Sequence, residues 1–182
     1  MKKQVSYQAA LAVAQALEAQ LRPACERVLI AGSLRRQRAE IGDIELVVLP
    51  RMRPVEDMFG MIVGHVSALD DALAGLAPTF RKNGEKFKQF DFEHLPIDLF
   101  IASPETWGCI ATIRTGSSDF SHWLVSPRRA GGGCPSHLSF RDGRIVANGG
   151  AAIATPEERD VFAALELPWV EPAERAAGRW RR

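Results

Sequence analysis

The chain has 182 residues, of which 46% are hydrophobic and 25% charged, a balance that is typical of folded globular proteins and that excludes disordered and fibrous classes. Its 23 basic and 22 acidic residues nearly cancel, so positive charge matters only where it clusters. Three cysteines at unrelated spacings argue against a disulfide framework, and polar residues interrupt the apolar runs of the amino-terminal segment. We therefore expect a cytoplasmic protein with no membrane span.

The first fifty residues predict one helix and two strands. Ser6 is suited to cap a helix over residues 6–21, in which apolar side chains recur at helical spacing and after which Pro23 follows. The β-rich runs RVLIAG and DIELVVLP each have the length of a short strand, and the second ends at Pro50.

A longer helix and two further strands are predicted next. From Pro54 to Leu76, apolar residues step by three or four positions, which favours one long helix with His65 packed near its apolar face. KFKQFDFEH and PIDLFIA then read as strands. These elements predict an α+β domain over residues 1–104, a mixed sheet with helices on one face.

The character of the sequence changes after Pro104. ETWGCIATI predicts a helix, RTGSSDF a turn and RDGR a hairpin turn. Thr155 as N-cap, Pro156 at the first position and Glu158 three residues after the cap predict a further short helix. We expect a second, smaller α/β lobe over residues 105–182.

Three carboxylates stand out within the predicted strands. Because side chains alternate along a strand, Asp43 and Glu45 share one face, and their repulsion favours a cation between them. Asp98 interrupts a later, otherwise apolar strand, where an acid is costly to bury unless it is paired. Carboxylates on neighbouring strands can hold Mg²⁺ together with substrate phosphates, and two such ions suit phosphoryl displacement.

Upstream of these acids, Gly32 and Ser33 lie where a strand passes into a short predicted helix. Backbone N–H groups and the Ser33 hydroxyl in such a turn can bind phosphate, and Arg36 can add a bidentate contact. Taken together, the turn and the three carboxylates predict a site that binds a nucleoside triphosphate with metal.

These motifs, GSLRR, GDIE, PIDLF and RTGSSDF, resemble those of the polymerase-beta-like nucleotidyltransferases and, within them, the family X DNA polymerases. The tail VFAALELPWVEPAER resembles the closing segment of family X thumbs. The resemblance implies a palm over residues 1–104, a thumb over 105–182 and a monomer that transfers dNMP from dNTP to a DNA 3′-hydroxyl, of the kind that fills gaps in repair.

The resemblance also implies roles for individual residues. Asp43, Glu45 and Asp98 would bind two Mg²⁺ or Mn²⁺ ions, with Asp98 near the attacking 3′-hydroxyl. The triphosphate would contact Gly32, Ser33, Arg36 and Gly42, and the sugar and base side of the nucleotide pocket would be lined by Thr115, Gly116 and Ser117.

The sequence departs from the family pattern at several positions. The second acid is Glu45 rather than aspartate, Ile113-Arg114 replaces the aromatic pair before Thr-Gly, and Ser121 or His122 stands where asparagine is expected. The chain resembles a minimal palm-plus-thumb form, without the lyase domain or helix-hairpin-helix module of typical members. DNA would then contact the remaining basic surface, for which the candidates are Lys82, Lys86, Lys88, Arg128 and Arg129.

Other functions remain open at this level. The Asp-x-Glu strand is also found in small-molecule nucleotidyltransferases of the antibiotic-modifying type, so a small-molecule or protein acceptor is an alternative, as is a nucleotide-binding module without catalysis. Cys109, Cys134, His122 and His137 allow a zinc site, although most of their spacings match no familiar finger. The tryptophans suit base stacking or, more simply, the core of the small lobe.

Overall fold

A computed structural model describes residues 4–76 and 78–180. The strands are β1 Val5–Ser6, β2 Cys25–Ile30, β3 Glu40–Ile41, β4 Ile44–Pro50, β5 Met52–Glu56, β6 Ile62–Ser67, β7 Phe80–Asn83, β8 Phe87–Phe92, β9 Leu95–Ile101, β10 Leu138–Arg141, β11 Arg144–Ala147 and β12 Ala152–Ile153. The helices are α1 Tyr7–Leu21, α2 Gly32–Arg35, α3 Ala68–Leu76, α4 Trp107–Thr115, α5 Ser118–Val125 and α6 Glu158–Ala164. Single 3₁₀ turns occupy Arg22–Ala24, Arg128–Ala130 and Pro172–Glu174.

A five-stranded sheet in the order β2-β4-β9-β8-β7 organises the first half of the chain. Strands β4 and β9 run parallel and the other neighbours run antiparallel, so the sheet is mixed, as predicted. Alternation along β4 divides its side chains between two layers. Ile44, Leu46 and Val48 pack in one cluster with α1 and α3, whereas Val47 and Leu49 pack with Phe100 and Trp107 on the opposite face.

The first predicted elements are confirmed. The Ser6 hydroxyl accepts a hydrogen bond from the backbone N–H of Ala9 (3.4 Å) at the start of α1. The strands predicted from RVLIAG, DIELVVLP, KFKQFDFEH and PIDLFIA correspond to β2, β4, β8 and β9.

The second half of the chain has its own core. Helices α4, α5 and α6 and the three-stranded sheet β10-β11-β12 surround it. Phe120, Leu124, Ile145, Phe162 and Leu165 are buried there, and Trp123 and Trp169 pack against them, which supports the core role of these two tryptophans. The predicted α+β class, a mixed sheet followed by a small α/β lobe, is confirmed, and the boundary at residue 104 stays a prediction.

The long helix predicted from Pro54 is wrong. Residues 52–67 form the antiparallel hairpin β5-β6, and helix appears only in α3, from Ala68. Gly60, at φ +75°, and the β-branched residues of β6 favour a hairpin, and apolar residues three or four apart also fit strands interrupted by a turn. His65 accordingly lies in β6 opposite Pro54 and not on a helix.

The start of α6 is corrected by two residues. The helix begins at Glu158, its N-cap is Glu157, and Glu157 and Asp160 form the capping box. Thr155 is instead buried, and its carbonyl accepts a hydrogen bond from the N–H of Gly108 (3.1 Å), so it packs against α4. The predicted RDGR turn is confirmed, since it joins β10 to β11. The predicted RTGSSDF turn is shorter than expected, because α5 begins at Ser118 within it.

None of the helices in the described residues combines the length and the apolar character that crossing a bilayer requires.

Candidate active site

The parallel pair β4-β9 brings the predicted carboxylates together. Glu45 and Asp98 are register partners in this pair, and Asp43 lies just before β4. Alternation places Glu45 on the same face as Val47, and Asp98 on the same face as Phe100, which is the face that α4 covers. The three carboxylates therefore lie at one end of the α4-facing side of the central sheet.

Glu45 is the most perturbed carboxyl of the three. Its pKa is raised to about 7, mainly by burial and also by the charges of Asp43 and Asp98, against the opposing effect of Arg36 and Arg114. In the metal-free chain Glu45 thus carries a full negative charge only above neutral pH. A cation at this position would stabilise the ionised form.

Asp98 faces an open cleft. The cleft has a volume of about 780 Å³ and is bordered by β8, β9, α4 and the β10-β11 turn, with Asp98, Lys86 and Arg114 among its lining residues. Asp98 Oδ1 accepts a hydrogen bond from Nε2 of Gln89 (2.7 Å). Arg114 stacks over the ring of Phe100, with 3.9 Å between Cζ and the ring centroid, and burial lowers its pKa against the attraction of Glu45 and Asp98.

The metal assignment depends on the chemistry of this donor set. Oxygen ligands from carboxylates suit Mg²⁺ and Mn²⁺. Glu45 and Asp98 on adjacent strands, with Asp43 just before β4 and the pKa of Glu45 near neutrality, fit a hard divalent cation. Within residues 4–76 and 78–180, however, no three His, Cys, Asp or Glu side chains are already arranged to hold an ion. Metal binding would require these side chains to turn toward one another.

The alternative zinc site is likewise not formed by the side chains of the described residues. Cys109 and Cys134 are buried thiols, and their Sγ atoms lie 3.4 Å from Thr155 Oγ1 and from the carbonyl of Leu138, respectively. His122 and His137 are exposed side chains. The described structure does not bring these four residues together into a metal site.

The Gly32-Ser33 turn is built directly against Glu45. Gly32 has a φ of +58°, and a Cβ atom at this position would lie 1.8 Å from Glu45 Oε2. The N–H of Ala31 donates to the carbonyl of Glu45 (2.8 Å), which fixes the turn on β4. Ser33 is half-buried at the start of α2, and Gly42 lies in open space before β4. Sequence reasoning predicted the turn and the acid separately and missed the contact between them.

The guanidinium of Arg36 is hydrogen-bonded to the carboxy-terminal end of α4. Its Nη1 donates to the carbonyls of Thr115 (2.7 Å) and Gly116 (2.9 Å). Burial lowers the pKa of Arg36, and the negative charge of Glu45 opposes that effect. The guanidinium therefore links the turn after β2 to the second lobe.

Residues 115–117 lie at that link and not on the described cleft. Thr115 and Ser117 are buried, and Thr115 Oγ1 accepts a hydrogen bond from Arg35 Nη1 (2.6 Å). A Cβ at Gly116 would lie 2.2 Å from the ring of Phe120, so the turn is tightly packed. The structure brings this segment to Arg35 and Arg36, and it does not bring it to the wall of the cleft.

A buried ion network that sequence reasoning missed lies behind this contact. Glu158 accepts hydrogen bonds from Arg35 Nη2 (2.5 Å) and Arg175 Nη1 (2.6 Å). Arg175 is fully buried, and the rings of Phe162 and Trp169 lie 5.0 and 4.7 Å from its Cζ. The network ties α2, next to the Gly32-Ser33 turn, to α6 and to the carboxy-terminal segment. No local sequence pattern signals contacts of this separation.

The predicted DNA-contacting residues divide into two groups. Lys82, Lys86 and Arg129 have exposed side chains, as does Arg128, which donates to the carbonyl of Leu165 (2.7 Å). Lys88 is only 8% exposed, and its Nζ contacts Asn83 Oδ1 (2.5 Å) and Asp70 (3.3 Å). Lys88 is therefore buried on the α3-facing side of β8, unlike the other four candidates, and its contact with DNA stays a prediction.

Two comparisons with known proteins bear on this arrangement. The family model of the DNA polymerase beta thumb matches residues 112–176, which run from the end of α4 to just beyond Arg175. DNA polymerase lambda of Rattus norvegicus is 26% identical over 162 residues, a match that covers 79% of this chain and 28% of the relative. The chain thus spans under a third of the length of that curated relative. Together, the two matches confirm the resemblance of this chain to the family X DNA polymerases that its motifs indicate.

Proposed function

We propose that the chain is a DNA-directed nucleotidyltransferase, a polymerase that adds dNMP from dNTP to a DNA 3′-hydroxyl and fills short gaps. The observation that carries this proposal is the pairing of Glu45 with Asp98 on adjacent parallel strands, with Asp43 beside them and the Gly32 turn in contact with Glu45. The match to the polymerase beta thumb and to DNA polymerase lambda supports the choice of DNA as acceptor.

In this reaction the 3′-oxygen forms a bond to the α-phosphorus of dNTP, and the bond to the bridging oxygen breaks to release pyrophosphate. Asp43, Glu45 and Asp98 would hold two Mg²⁺ or Mn²⁺ ions, which supply charge neutralisation for the attacking and leaving oxygens. Asp98 lies at the wall of the cleft and would accept the proton of the 3′-hydroxyl.

The chain's own groups would position the nucleotide. Gly32, Ser33, Arg36 and Gly42 would contact the triphosphate, since they cluster before β4 and beside the carboxylates. The segment 115–117 would help to position the triphosphate indirectly, because its carbonyls and the Thr115 hydroxyl accept hydrogen bonds from the guanidinium groups of Arg35 and Arg36.

Primer extension tests this proposal. The assay measures addition of each dNTP to a labelled primer in a one-nucleotide gapped duplex, with Mg²⁺ and with Mn²⁺. Asp98→Asn should abolish addition, whereas Asp91→Asn should not, because Asp91 is an exposed acid on the neighbouring strand β8 that pairs with Arg81 (2.6 Å). Equal losses in both variants, or none in Asp98→Asn, would refute the assignment of the site.

A negative result with the wild-type chain would also be informative. Binding of a nucleoside triphosphate that depends on metal and on Asp98, without addition to gapped, primed or single-stranded DNA, would reject DNA as acceptor. That outcome would favour a small-molecule or protein acceptor, which the glutamate at position 45 also suits.

A further inference from the structure

Arg114 places a guanidinium in the cleft beside Asp98. It lies in the last turn of α4 and lines the cleft together with Asp98 and Lys86. Its Cζ lies over the ring of Phe100, 3.9 Å from the centroid, and Phe100 packs in turn against Phe87, with 5.0 Å between ring centroids. This aromatic pair restricts the orientation of the guanidinium plane.

The donors of Arg114 are not used within the described chain. Its Nε is buried and has no hydrogen-bond partner among residues 4–76 and 78–180, and its Nη groups form no hydrogen bond or ion pair with these residues. By contrast, Arg35 donates to Glu158, and Arg36 donates to two carbonyls at the end of α4. Because desolvated donors in folded proteins are nearly always paired, a partner from outside the described chain is expected at Arg114.

The charge of Arg114 indicates that this partner is an anion. In the metal-free chain, the negative charges of Glu45 and Asp98 attract the guanidinium. Under the proposed function these acids, with Asp43, bind two divalent cations, which together carry more charge than three carboxylates. The guanidinium would then face a positive site. A half-buried cation without a counter-ion is costly, so the occupied cleft should supply an anion at Arg114.

The shape of the guanidinium and its place in the cleft select the kind of anion. Its planar fork matches the paired oxygens of a phosphate group. The proposed reaction offers phosphate in the triphosphate and in the DNA backbone. The triphosphate would lie at Gly32, Ser33 and Arg36, and none of these three is among the described residues that line the cleft. Asp98, which would contact the 3′-hydroxyl, does line it, so the position favours the DNA strand.

We propose that Arg114 binds a backbone phosphate of the DNA strand that ends at Asp98 and thereby positions the 3′-end beside the metal-binding carboxylates. This role rests on the proposed function, which places the 3′-hydroxyl at Asp98. Lys86, an exposed side chain that lines the same cleft, would add a second positive charge near the strand. Because the family pattern has an aromatic residue where this chain has Arg114, the contact would be a feature of this chain and not of the pattern.

Binding of a gapped duplex, measured by fluorescence anisotropy with Mg²⁺ and without dNTP, tests the contact apart from catalysis. Arg114→Met keeps an apolar side chain over Phe100 and removes the charge, so the dissociation constant for the duplex should rise about tenfold or more. The slope of log Kd against log salt concentration should fall by about 0.7–0.9, as expected for one lost phosphate contact. The matched control is Arg22→Met, which should change the dissociation constant by less than about twofold. Arg22 is exposed and paired with Glu18 of α1, on the opposite face of the sheet.

Neutral methylphosphonate linkages, placed one at a time near the 3′-end, identify the phosphate. At one position the replacement should weaken binding by the wild type and have little further effect on Arg114→Met, because both changes remove the same contact. Arg114→Lys should retain part of the affinity, since lysine keeps the charge and lacks the planar fork. Losses that simply add at every position, or normal duplex binding by Arg114→Met, would overturn the proposal.

The remaining outcomes separate this contact from other roles of Arg114 and from the proposed function. Calorimetry with Mg²⁺ and without DNA should show equal dNTP binding by the wild type and Arg114→Met, and a loss confined to dNTP would assign the guanidinium to the triphosphate and overturn the proposal. Lower stability in urea with unchanged DNA binding would show a structural role instead. DNA binding that depends on Arg114, without nucleotide addition, would contradict the proposed function alone. A wild-type chain that does not bind DNA would overturn both.

Discussion

Replacement of Glu158 by glutamine tests whether the buried ion network joins the two halves of the molecule. The glutamine keeps the shape of the side chain but removes the negative charge to which the Arg35 and Arg175 guanidinium groups donate hydrogen bonds. Arg175 is fully buried, and its burial already lowers its pKa against the attraction of Glu158. Two cations would then face each other without their shared counter-ion.

The magnitude follows from the burial of the partners. Removing one member of a buried ion pair costs about 3–5 kcal/mol, because the remaining charge stays desolvated, whereas an exposed pair contributes about 0–1 kcal/mol. We expect Glu158→Gln to lower the free energy of unfolding by about 3 kcal/mol. The matched control is Glu166→Gln, which breaks the exposed pair with Arg128 (3.1 Å) and should lower it by less than about 1 kcal/mol.

Urea unfolding followed by tryptophan fluorescence measures both values, and Trp169, which lies beside Arg175, reports on the site directly. In primer extension, Glu158→Gln should also reduce the rate of addition, since Arg35 precedes Arg36 in the turn that would hold the triphosphate. A loss of stability equal to that of Glu166→Gln would refute the argument that this network holds the second lobe on the first.

Three further predictions concern the region around the carboxylates and strand β2. Gly32→Ala should lower the free energy of unfolding by more than about 1 kcal/mol, and by less when Glu45 is replaced by aspartate. Urea unfolding of the two single variants and the double variant measures this. If the two losses of stability simply add, the contact between Gly32 and Glu45 is contradicted. With EDTA present, the free energy of unfolding of the wild type should fall as the pH rises from 4.5 to 7, by up to about 3 kcal/mol more than that of Glu45→Gln. The reason is that the Glu45 carboxyl loses its proton at a lower pH in the unfolded chain than in the folded one. Parallel pH profiles of the wild type and Glu45→Gln would contradict this. Burial raises the pKa of the Cys25 thiol to about 11, so stability should fall between pH 9 and pH 11 in the wild type, and less in Cys25→Ala; identical alkaline profiles would argue against it.

Most of the central sheet was predictable because its information is local. Strands β2, β4, β8 and β9 are short, β-rich runs with clear ends, and the acid spacing in β4 sets which side chains share a face. The parallel pairing of Glu45 with Asp98 was anticipated only as strand adjacency, since register depends on contacts between distant segments.

The failures share a physical cause, which is that one-dimensional patterns do not identify the partner surface. The apolar spacing from Pro54 fits a helix that packs on a core, yet in the structure this segment is a hairpin that packs on little of its own chain. Lys88 alternates with aromatic residues in β8 and looks like a surface charge, but its face of the strand is covered by α3. Threonine is a residue type that commonly caps helices, but Thr155 packs against α4 instead.

The contact between Gly32 and Glu45 shows how the structure accommodates a glutamate where the family pattern has an aspartate. A glutamate in place of aspartate at position 45 extends the carboxylate by one methylene, and its Oε2 occupies the space that any Cβ at position 32 would fill. A glycine is required there twice over, because its φ of +58° is also unfavourable for other residues. The Gly-Ser turn and the Asp-x-Glu strand are therefore one physical unit and not two motifs that happen to lie close in sequence. Since the turn would hold phosphate and the strand would hold metal, the contact between Gly32 and Glu45 couples the position of one ligand to the position of the other.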